Sequence, residues 1–569
     1  MEKRMLIAIV LTLGLLMLWR AFFAPPPPPA TRHAEAPAAA AHRAAVSTPK
    51  SASVAAPPKQ IALPVEHGAA ASEITVENSV YRIVFSTQGA LVKQWILKQY
   101  PDANNKPLDV INADACRAFG YPLSVTLPDA ALAAKLNSAI YVATPNAGNI
   151  SAPGGITFTY SDGKTEVTKQ FTFESGYEVK AKVSVFDGTH DLPVSVVWPG
   201  GIGDQSLAAN MRKKEAKAFY DNGSGIKTVK DKKVGERDSF PGPLAFAGLE
   251  DNFFAGVFVP ESPESAFDVE RQSVTPVGAK VREPEESLEA VLGASQPEPL
   301  AFKIFIAPKE LDVLRTESPE LEKLVNFGWF TIIAKPLFLA MRWVNDHGVH
   351  NWGWTIVILT VLINLVFFPL KLKSIRSSQA MQKVAPVVKE IQDRYKQYKF
   401  NDPRKQRMNQ EVMKVYQEHG VNPMSGCLTM LPQLPIIYAF YEVLETSIAM
   451  RHAPWIWWIK DLSVPDPLYI LPGLAIVLSF IMQKMTPMPT VDPAQQRMMM
   501  VAPLAVGFIF FMEAAGLTLY YFVYCLVAVA QQVLINRMAP PQKAPAQLPP
   551  TAVEKSQPPR QRKPAAVKG

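Results

Sequence analysis

The sequence predicts a multi-domain membrane protein: an N-terminal transmembrane anchor helix, then an all-β domain, then an α-helical bundle of five core transmembrane helices. Three observations predict this fold class. A short apolar run follows two basic residues at the N-terminus, apolar and polar residues alternate through much of residues 72–308, and long apolar runs recur after residue 350. Alternation is typical of half-buried strands, and apolar runs of about 20 residues are typical of membrane-spanning helices.

The composition is that of a protein with one part in water and another part in a membrane. Charged residues make up 19% of the 569 residues, and the mean hydropathy is +0.05. The net charge of +8 is compatible with nucleic-acid binding, but the basic residues cluster beside apolar segments, where membrane topology accounts for them, so no DNA partner is expected. The three cysteines form no CxxC pair. We therefore expect neither a disulfide framework nor a structural zinc site, and no cofactor.

The first 71 residues predict an anchor and a linker. Lys3 and Arg4 precede an apolar run, and neither a small-residue cleavage site nor a lipoprotein-type cysteine follows it. We interpret residues 1–24 as an uncleaved anchor with its N-terminus in the cytoplasm. Residues 25–71 are rich in proline and alanine and cannot bury enough apolar surface to order themselves, so we interpret them as a linker.

Residues 72–319 are predicted to form a β-sandwich domain, which its position after the anchor places in the periplasm. The alternating segments are Ile74–Val76, Tyr81–Phe85, Ile156–Tyr160, Val167–Phe173 and Tyr177–Phe186. A hairpin signal, Ser161-Asp162-Gly163-Lys164, separates two of them. No GxSxG or HExxH motif occurs, and the acidic pair Glu285–Glu286 is better explained as solvated surface than as a glycosidase dyad. We expect no enzymatic activity.

Membrane topology follows from charge. Five apolar segments are the predicted core spans: Trp352–Leu370, Cys427–Ile448, Pro467–Met482, Met498–Met512 and Leu517–Ile535. The connection 371–423 and the tail 538–569 are strongly basic, which predicts a cytoplasmic location for both. The loop 451–466 is weakly charged and rich in tryptophan, which suits the outer interface.

The segment 320–346 is apolar but interrupted by charges and a proline, so it is compatible with a span or with a helix lying flat on the membrane. If it crossed, the most basic loop would face the periplasm. We therefore predict an interfacial amphipathic helix here, six spans in all, and both termini in the cytoplasm of a bacterial cell with an inner membrane. The tail 538–569 is predicted to be disordered.

The cytoplasmic connection predicts a helical hairpin over 374–420. Apolar residues recur at helical spacing in its first half: Met381, Val384, Val388, Ile391 and Tyr395. Asn401-Asp402-Pro403 is a helix start signal, and the second helix is predicted to end at His419-Gly420. The hairpin is either a solvated connector or a surface for transient contact with a partner, and the residues leave both interpretations open.

Polar residues inside the predicted spans carry the functional hypothesis. The set is Thr360, Asn364, Gln433, Gln531, Tyr520 and Tyr521. Most of these residues lie towards the cytoplasmic side, whereas Tyr520 and Tyr521 lie nearer the outer end of their span. Singly, each amide is explained by a helix–helix hydrogen bond. Together, on three helices at one depth, they predict a water-filled vestibule open to the cytoplasm, where polar segments of a passenger chain are held before they cross.

Several motifs then resemble those of the YidC/Oxa/Alb membrane protein insertases. They are Gly353-Trp354-Thr355, Asn422-Pro423 with Gly426-Cys427, Gln433-Leu434-Pro435, Asp466-Pro467 with Tyr469-Ile470-Leu471-Pro472, and Gly516-Leu517 with Tyr520-Tyr521. The match covers residues 350–537, which we interpret as the insertase transmembrane core. The long insertion after the first span resembles the Gram-negative form of the family, whose periplasmic domain is a β-supersandwich.

The resemblance implies an insertase and chaperone that inserts nascent inner-membrane proteins, alone or with the Sec translocon, through a hydrophilic groove open to the cytoplasm and to lipid. It implies nascent membrane proteins, ribosomes (through the basic tail and cytoplasmic loops) and the phospholipid bilayer as partners. Thr360 and Tyr521 match positions flanking the hydrophobic side of the family's groove, and Gln433 matches a groove residue. One position departs: Asn364 stands where the family usually has arginine. This predicts a groove that is hydrated by an amide and lacks a fixed positive charge.

Two other function classes fit the sequence less well. A small-solute transporter predicts inverted repeats or discontinuous helices around a midplane site, but no internal repeat is evident and the polar residues favour one side. A membrane-anchored periplasmic domain that binds, for instance, carbohydrate needs a single anchor, and five further spans with coordinated polar residues exceed that need.

Overall fold

The structure is a computed structural model. It describes residues 62–205, 216–230, 234–235, 237–240, 242–274, 285–294, 296–318, 320–325, 327–398, 402–420, 430–485 and 507–538. The predicted anchor 1–24, most of the linker, most of the span Met498–Met512 and the tail beyond Met538 lie outside these residues.

Strands build the first half of the described chain. In order they are β1 Val65–Glu66, β2 Glu73–Glu77, β3 Tyr81–Ser86, β4 Leu91–Pro101, β5 Pro107–Asp109, β6 Ser124–Thr126, β7 Val142–Thr144, β8 Asn149–Ser151, β9 Gly154–Asp162, β10 Glu166–Phe173, β11 Glu178–Phe186, β12 Ser195–Trp198, β13 Lys217–Asp221, β14 Ile226–Lys230, β15 Arg237–Phe240, β16 Phe246–Glu250, β17 Phe254–Pro260, β18 Ala266–Val274, β19 Glu285–Gly293 and β20 Leu300–Pro308. All five predicted strand segments are confirmed.

Three sheets share one apolar core. The largest runs β1-β9-β10-β11-β20-β17-β16-β13-β14, with β7 beside β9, and the two others run β15-β18-β19-β12-β6 and β5-β4-β3-β2-β8. The rings of Phe85 and Phe158 join the third sheet to the first at 5.7 Å between centroids, and those of Trp95 and Trp198 join it to the second at 5.9 Å. The predicted β9–β10 hairpin is confirmed: Gly163 has φ +86°, a backbone conformation that favours glycine.

The domain is not purely β. Two short helices interrupt the strands, α1 Ala113–Phe119 and α2 Ala130–Ser138. Their starts are fixed by Asn112 and Asp129, whose side chains accept hydrogen bonds from the first-turn backbone N–H groups. The sequence prediction missed them because both are short and their apolar spacing is weak.

The segment after β20 joins the two halves of the chain. It contains α3 Leu311–Glu317, two short 3₁₀ turns and α4 Thr331–Val344. The helix predicted over 320–346 therefore begins later, at residue 331. Helix α4 ends in a π-turn, Asn345–Val349. The chain bends by 116° between the unit formed by α4 and this turn and the next helix. Ile332 (85% exposed) and Trp343 (64%) are apolar side chains outside the packed face of α4, whereas Ala334 and Met341 are buried.

The remaining helices are α5 Trp352–Val366, α6 Phe368–Arg394, α7 Pro403–Glu418, α8 Met430–Thr446, α9 Ile470–Met485 and α10 Ala515–Met538. Within the described part of the chain, only α10 is long and apolar enough to cross a membrane by itself. Helix α4 with its π-turn and helix α5 reach that length and apolarity only when they are taken together as one bent pair. The described part of α9 is apolar but shorter. The number of spans therefore stays a prediction. The predicted span ending at Leu370 ends earlier, at Val366, because the chain breaks at Phe367 just before Pro369.

The helical hairpin is present as α6 and α7. Met381, Val384 and Val388 are buried and pack against the apolar side of α7. Asp402 caps α7 through its side chain, and Pro403 is the first residue of the helix, as the start signal predicted. Helix α6 is longer than predicted and begins at residue 368, directly after the break that ends α5.

Candidate functional site: a polar junction between three helices

The polar site is built where α5, α6 and α10 meet. Asn364 lies in the last turn of α5, and its side-chain Nδ2 donates to the carbonyl oxygen of Thr360 at 2.8 Å. The carbonyl oxygen of Asn364 accepts from Nε2 of Gln531 on α10 at 3.1 Å. The two residues named from the sequence are therefore brought together, with Asn364 half-buried and Gln531 only 7% exposed.

Lys371 completes this junction. Its Nζ donates to Oε1 of Gln531 at 3.0 Å and lies 5.9 Å from the centre of the Tyr524 ring. An ammonium group therefore lies beside the amide that binds the carbonyl oxygen of Asn364, whereas the groove itself and its lack of a fixed positive charge stay predictions. The sequence prediction treated Lys371 only as a topology signal, because its contact with Gln531 on α10 depends on the tertiary fold.

Thr360 and Tyr520 occupy packed positions. Thr360 is fully buried, and its Oγ1 donates to the carbonyl oxygen of Ile356 at 2.6 Å, so its hydroxyl is bound within its own helix. Tyr520 is 2% exposed and stacks on Phe440 of α8 with 4.2 Å between ring centroids. Tyr520 therefore joins α10 to α8, whereas the printed hydrogen bond of Thr360 stays within α5, and the place of both residues in a groove stays a prediction.

Tyr521 is half-buried and stacks on Phe510 at 4.4 Å between ring centroids. The ring centroids of Tyr524 and Tyr521 are 6.3 Å apart. These two aromatic rings of α10 therefore form a row that leads to the Lys371 ammonium group. The backbone of Gln433 belongs to α8, but its side chain lies outside the described residues, so its predicted place in the groove stays a prediction.

The opposite end of α5 is closed by the tryptophan-rich loop. Asn351 caps α5 by accepting from the backbone N–H of Trp354, and its Nδ2 donates to the carbonyl oxygen of Pro454 at 3.1 Å. Asp466 accepts from the Trp458 indole at 3.0 Å and from the backbone N–H of Leu471 at 2.8 Å. These contacts give a structural role to the Gly-Trp-Thr and Asp-Pro motifs.

Comparisons with known proteins identify the family. A family model described as the YidC periplasmic domain matches residues 73–340, and one described as the 60Kd inner membrane protein matches residues 343–543. The membrane protein insertase YidC of Geobacter metallireducens is 32% identical over 552 residues, covering 94% of this chain and 98% of the relative. The chain belongs to the YidC membrane protein insertase family. The membrane protein insertase YidC of Syntrophus aciditrophicus is 30% identical over 561 residues, and the match covers 95% of this chain and 100% of that relative.

Membership of the YidC family confirms the resemblance stated from the motifs. The β domain corresponds to the YidC periplasmic domain, and the helical half corresponds to the inner-membrane model. A solved structure of an active YidC insertase with its first transmembrane domain resolved is 19% identical, with a TM-score of 0.33, and the match covers 82% of this chain and 94% of that one. Among the described residues of this YidC-family chain, no group of three His, Cys, Asp or Glu side chains is placed to hold a metal.

Proposed function

We propose that this chain inserts nascent proteins into the inner membrane and helps them fold, using the junction of α5, α6 and α10 as part of a hydrophilic groove open to the cytoplasm and lipid. The observation that carries the proposal is the chain of contacts from Lys371 through Gln531 to the carbonyl of Asn364. A charged group and amides at the ends of apolar helices are costly in hydrocarbon, and such residues mark paths for polar groups.

Helix length supports a thinned barrier. The 15 residues of α5 span about 22 Å, at about 1.5 Å per residue. This helix is shorter than the roughly 30 Å hydrocarbon core of a bilayer. A short helix is matched by local thinning of lipid, which shortens the apolar distance that a polar passenger segment must cross.

The topology that fits this role keeps both termini and the α6–α7 hairpin in the cytoplasm, with the β domain in the periplasm. The basic connection 371–423 and the basic tail 538–569 support it by the positive-inside rule. The exposed apolar residues of α4 and its bend away from α5 suit a helix lying at the outer surface of the bilayer. Ribosomes would meet the basic tail and hairpin, and the Sec translocon would act beside the helical core.

Reconstitution tests the proposal. Purified full-length protein in phospholipid vesicles should let a small membrane protein, released from ribosomes, become protease-protected beyond the level of protein-free vesicles. Crosslinks from positions 360, 364, 433 and 521 to a stalled nascent membrane chain should form at 364 and 433 in particular. Equal protection in protein-free vesicles, with crosslinks no stronger than at an exposed hairpin position, would refute the insertase role.

A further inference from the structure

The tryptophan-rich loop 451–466 has the reverse of the polarity expected for a loop in water. Three of its four Asp, Lys and Arg side chains are turned inwards and are buried or nearly so: Arg451, Asp461 and Asp466. Trp457, in contrast, is 87% exposed. Surfaces in water expose charged side chains and bury most large apolar ones, so this part of the loop is suited to a less polar medium.

Trp457 is held in a strained backbone conformation. Its φ is +41°, in the left-handed region that large side chains rarely adopt. The loop is fixed around it, because the backbone N–H of Trp455 donates to the carbonyl oxygen of Ile459 at 3.0 Å. The backbone at this position favours glycine over an indole. Strain that the surrounding structure imposes is typical of a side chain that has a function.

The exposed indole is continuous with the surface that the helices present to lipid. The rings of Trp457 and Trp458 are 6.1 Å apart between centroids. Asp466 accepts from the Trp458 indole and from the backbone N–H of Leu468, at 3.0 Å each. Leu468 is 58% exposed and stands just before α9. The exposed side chains of α9 are apolar up to Lys484 at its other end: Ile470, Leu474, Val477 and Ile481.

We propose that Trp457 binds the headgroup layer of the outer leaflet, and that this contact sets the depth at which the outer end of α5 lies in the bilayer. Indoles favour the layer between headgroups and acyl chains. The exposed charge of the loop, Lys460, is of the type that reaches lipid phosphate while its stem stays on apolar surface. The loop is tied to α5, because the Asn351 amide donates to the carbonyl oxygen of Pro454 at 3.1 Å.

The depth-setting role rests on the proposed function. Helix α5 is shorter than the apolar layer of a bilayer, so the lipid beside it must thin or the helix end must sink. Headgroups held at Trp457 favour thinning, because they fix the outer surface of the bilayer to the end of this short helix. Loss of the anchor should therefore matter most where the bilayer is thick.

Photocrosslinking tests the lipid contact. Benzoylphenylalanine is placed at position 457 of the full-length protein, in vesicles of phosphatidylethanolamine and phosphatidylglycerol that carry radiolabelled lipid. We expect a lipid adduct as strong as from position 477 on α9, and none above background from position 119, where Phe119 is an exposed side chain of the β domain. No lipid adduct at 457, or an adduct only to a second copy or to another part of the chain, overturns the proposal.

The functional test varies bilayer thickness. Insertion of one passenger is measured in vesicles of short-chain or long-chain lipids containing wild-type protein, Trp457→Gly, Trp457→Tyr or the control Phe119→Ala. We expect Trp457→Gly to match wild type in short-chain vesicles and to insert about threefold to tenfold less in long-chain vesicles. Trp457→Tyr keeps an interfacial aromatic ring, and Phe119→Ala removes one from the water-facing surface, so both should match wild type throughout.

Trp457→Gly also separates a lipid contact from a packing role. Glycine relieves the backbone strain, so thermal unfolding in detergent should stay level or rise. A marked fall in thermal stability, or an equal loss of insertion in short-chain and long-chain vesicles, would assign Trp457 to packing and overturn the proposal. If wild-type protein inserts the passenger in neither vesicle type, the proposed function falls and the depth-setting role with it, whereas the crosslink at 457 decides the lipid contact independently.

Discussion

Arg451 and Asp204 form a buried ion pair between residues that lie 247 positions apart in the sequence. Asp204 belongs to the β domain, and Arg451 follows α8 at the start of the tryptophan-rich loop. Their side chains are 3% exposed for Arg451 and 1% for Asp204, and the guanidinium of Arg451 also lies 5.5 Å from the centre of the Phe254 ring. Nearby, Ile448 packs into the apolar core of the β domain. The contact therefore fixes the β domain to the helical core.

Substitution of one partner is expected to be more damaging than substitution of both. Asp204→Asn leaves a buried guanidinium without its counter-charge, which costs about 3–5 kcal/mol of unfolding free energy. Asp204→Leu combined with Arg451→Met replaces the pair by apolar side chains and should cost much less. Chemical unfolding of the full-length protein in detergent measures both. A double variant as unstable as Asp204→Asn would contradict this account of the pair.

Deletion of residues 72–308 is expected to leave most of the insertion activity. The deletion removes Asp204 together with the surface that covers Arg451, so the guanidinium returns to water, where it needs no counter-charge. Complementation of an insertase-depleted strain measures activity, with protein level as the control. If the chain were a periplasmic binding module with anchoring helices, the deletion would abolish function, and that outcome would also reject the proposed function.

Asn364→Leu is expected to impair insertion several-fold more than Asn364→Arg. Leucine removes the amide that donates to the Thr360 carbonyl and dries the junction beside Gln531, whereas arginine keeps hydrogen-bond donors and attracts water. The like charge of Lys371 disfavours a guanidinium at this position, but a hydrated site screens that repulsion. Complementation with both variants at equal protein levels checks the order. The reverse order would reject hydration as the role of Asn364.

The β domain is expected to lose stability between about pH 4.5 and pH 7 through Glu289. Burial raises the pKa of Glu289 to about 7, and the negative charge of Glu270 contributes to the rise, while Gln272 and Arg237 oppose the shift. Because the folded state holds the proton more tightly than the unfolded state, this stability is fully present below about pH 4.5 and is lost as the pH rises through about 7.

Unfolding experiments across that range, followed by tryptophan fluorescence, should show the loss in wild-type protein. It should amount to about 1–2 kcal/mol after allowance for partial exposure. Glu289→Gln should remove the slope, whereas Glu261→Gln, at an exposed position, should keep it. An identical slope in wild type and Glu289→Gln would assign the pH dependence to other groups.

Local patterns predicted the local structure of this chain. Alternation predicted strands such as β10, and Asp402-Pro403 predicted the start of α7, because both signals depend on neighbouring residues. The contact of Lys371 with Gln531 and the Arg451–Asp204 pair could not be predicted, because each depends on residues brought together only by the tertiary fold. Amides are rare in apolar runs, which made Asn364 and Gln531 recognisable. Thr360 and Tyr520 were chosen by the same logic and are buried, and their place in a groove stays a prediction.

Gly353→Ala is expected to destabilise the outer end of the core. A Cβ at Gly353 would overlap the side chain of Trp455, whose loop is held by the hydrogen bond from Asn351 to the Pro454 carbonyl. Because Asn351 also caps α5, neither the helix nor the loop moves aside cheaply, and overpacking of this kind costs about 1–3 kcal/mol.

Gly473→Ala in α9 is the matched control, since nothing lies within 4 Å of its added Cβ. Alanine there should be neutral or stabilise the helix by up to about 1 kcal/mol. Thermal unfolding in detergent should therefore shift down for Gly353→Ala and stay level or rise for Gly473→Ala. Equal shifts in the two variants would mean that the Gly353–Trp455 contact does not hold α5 against the loop.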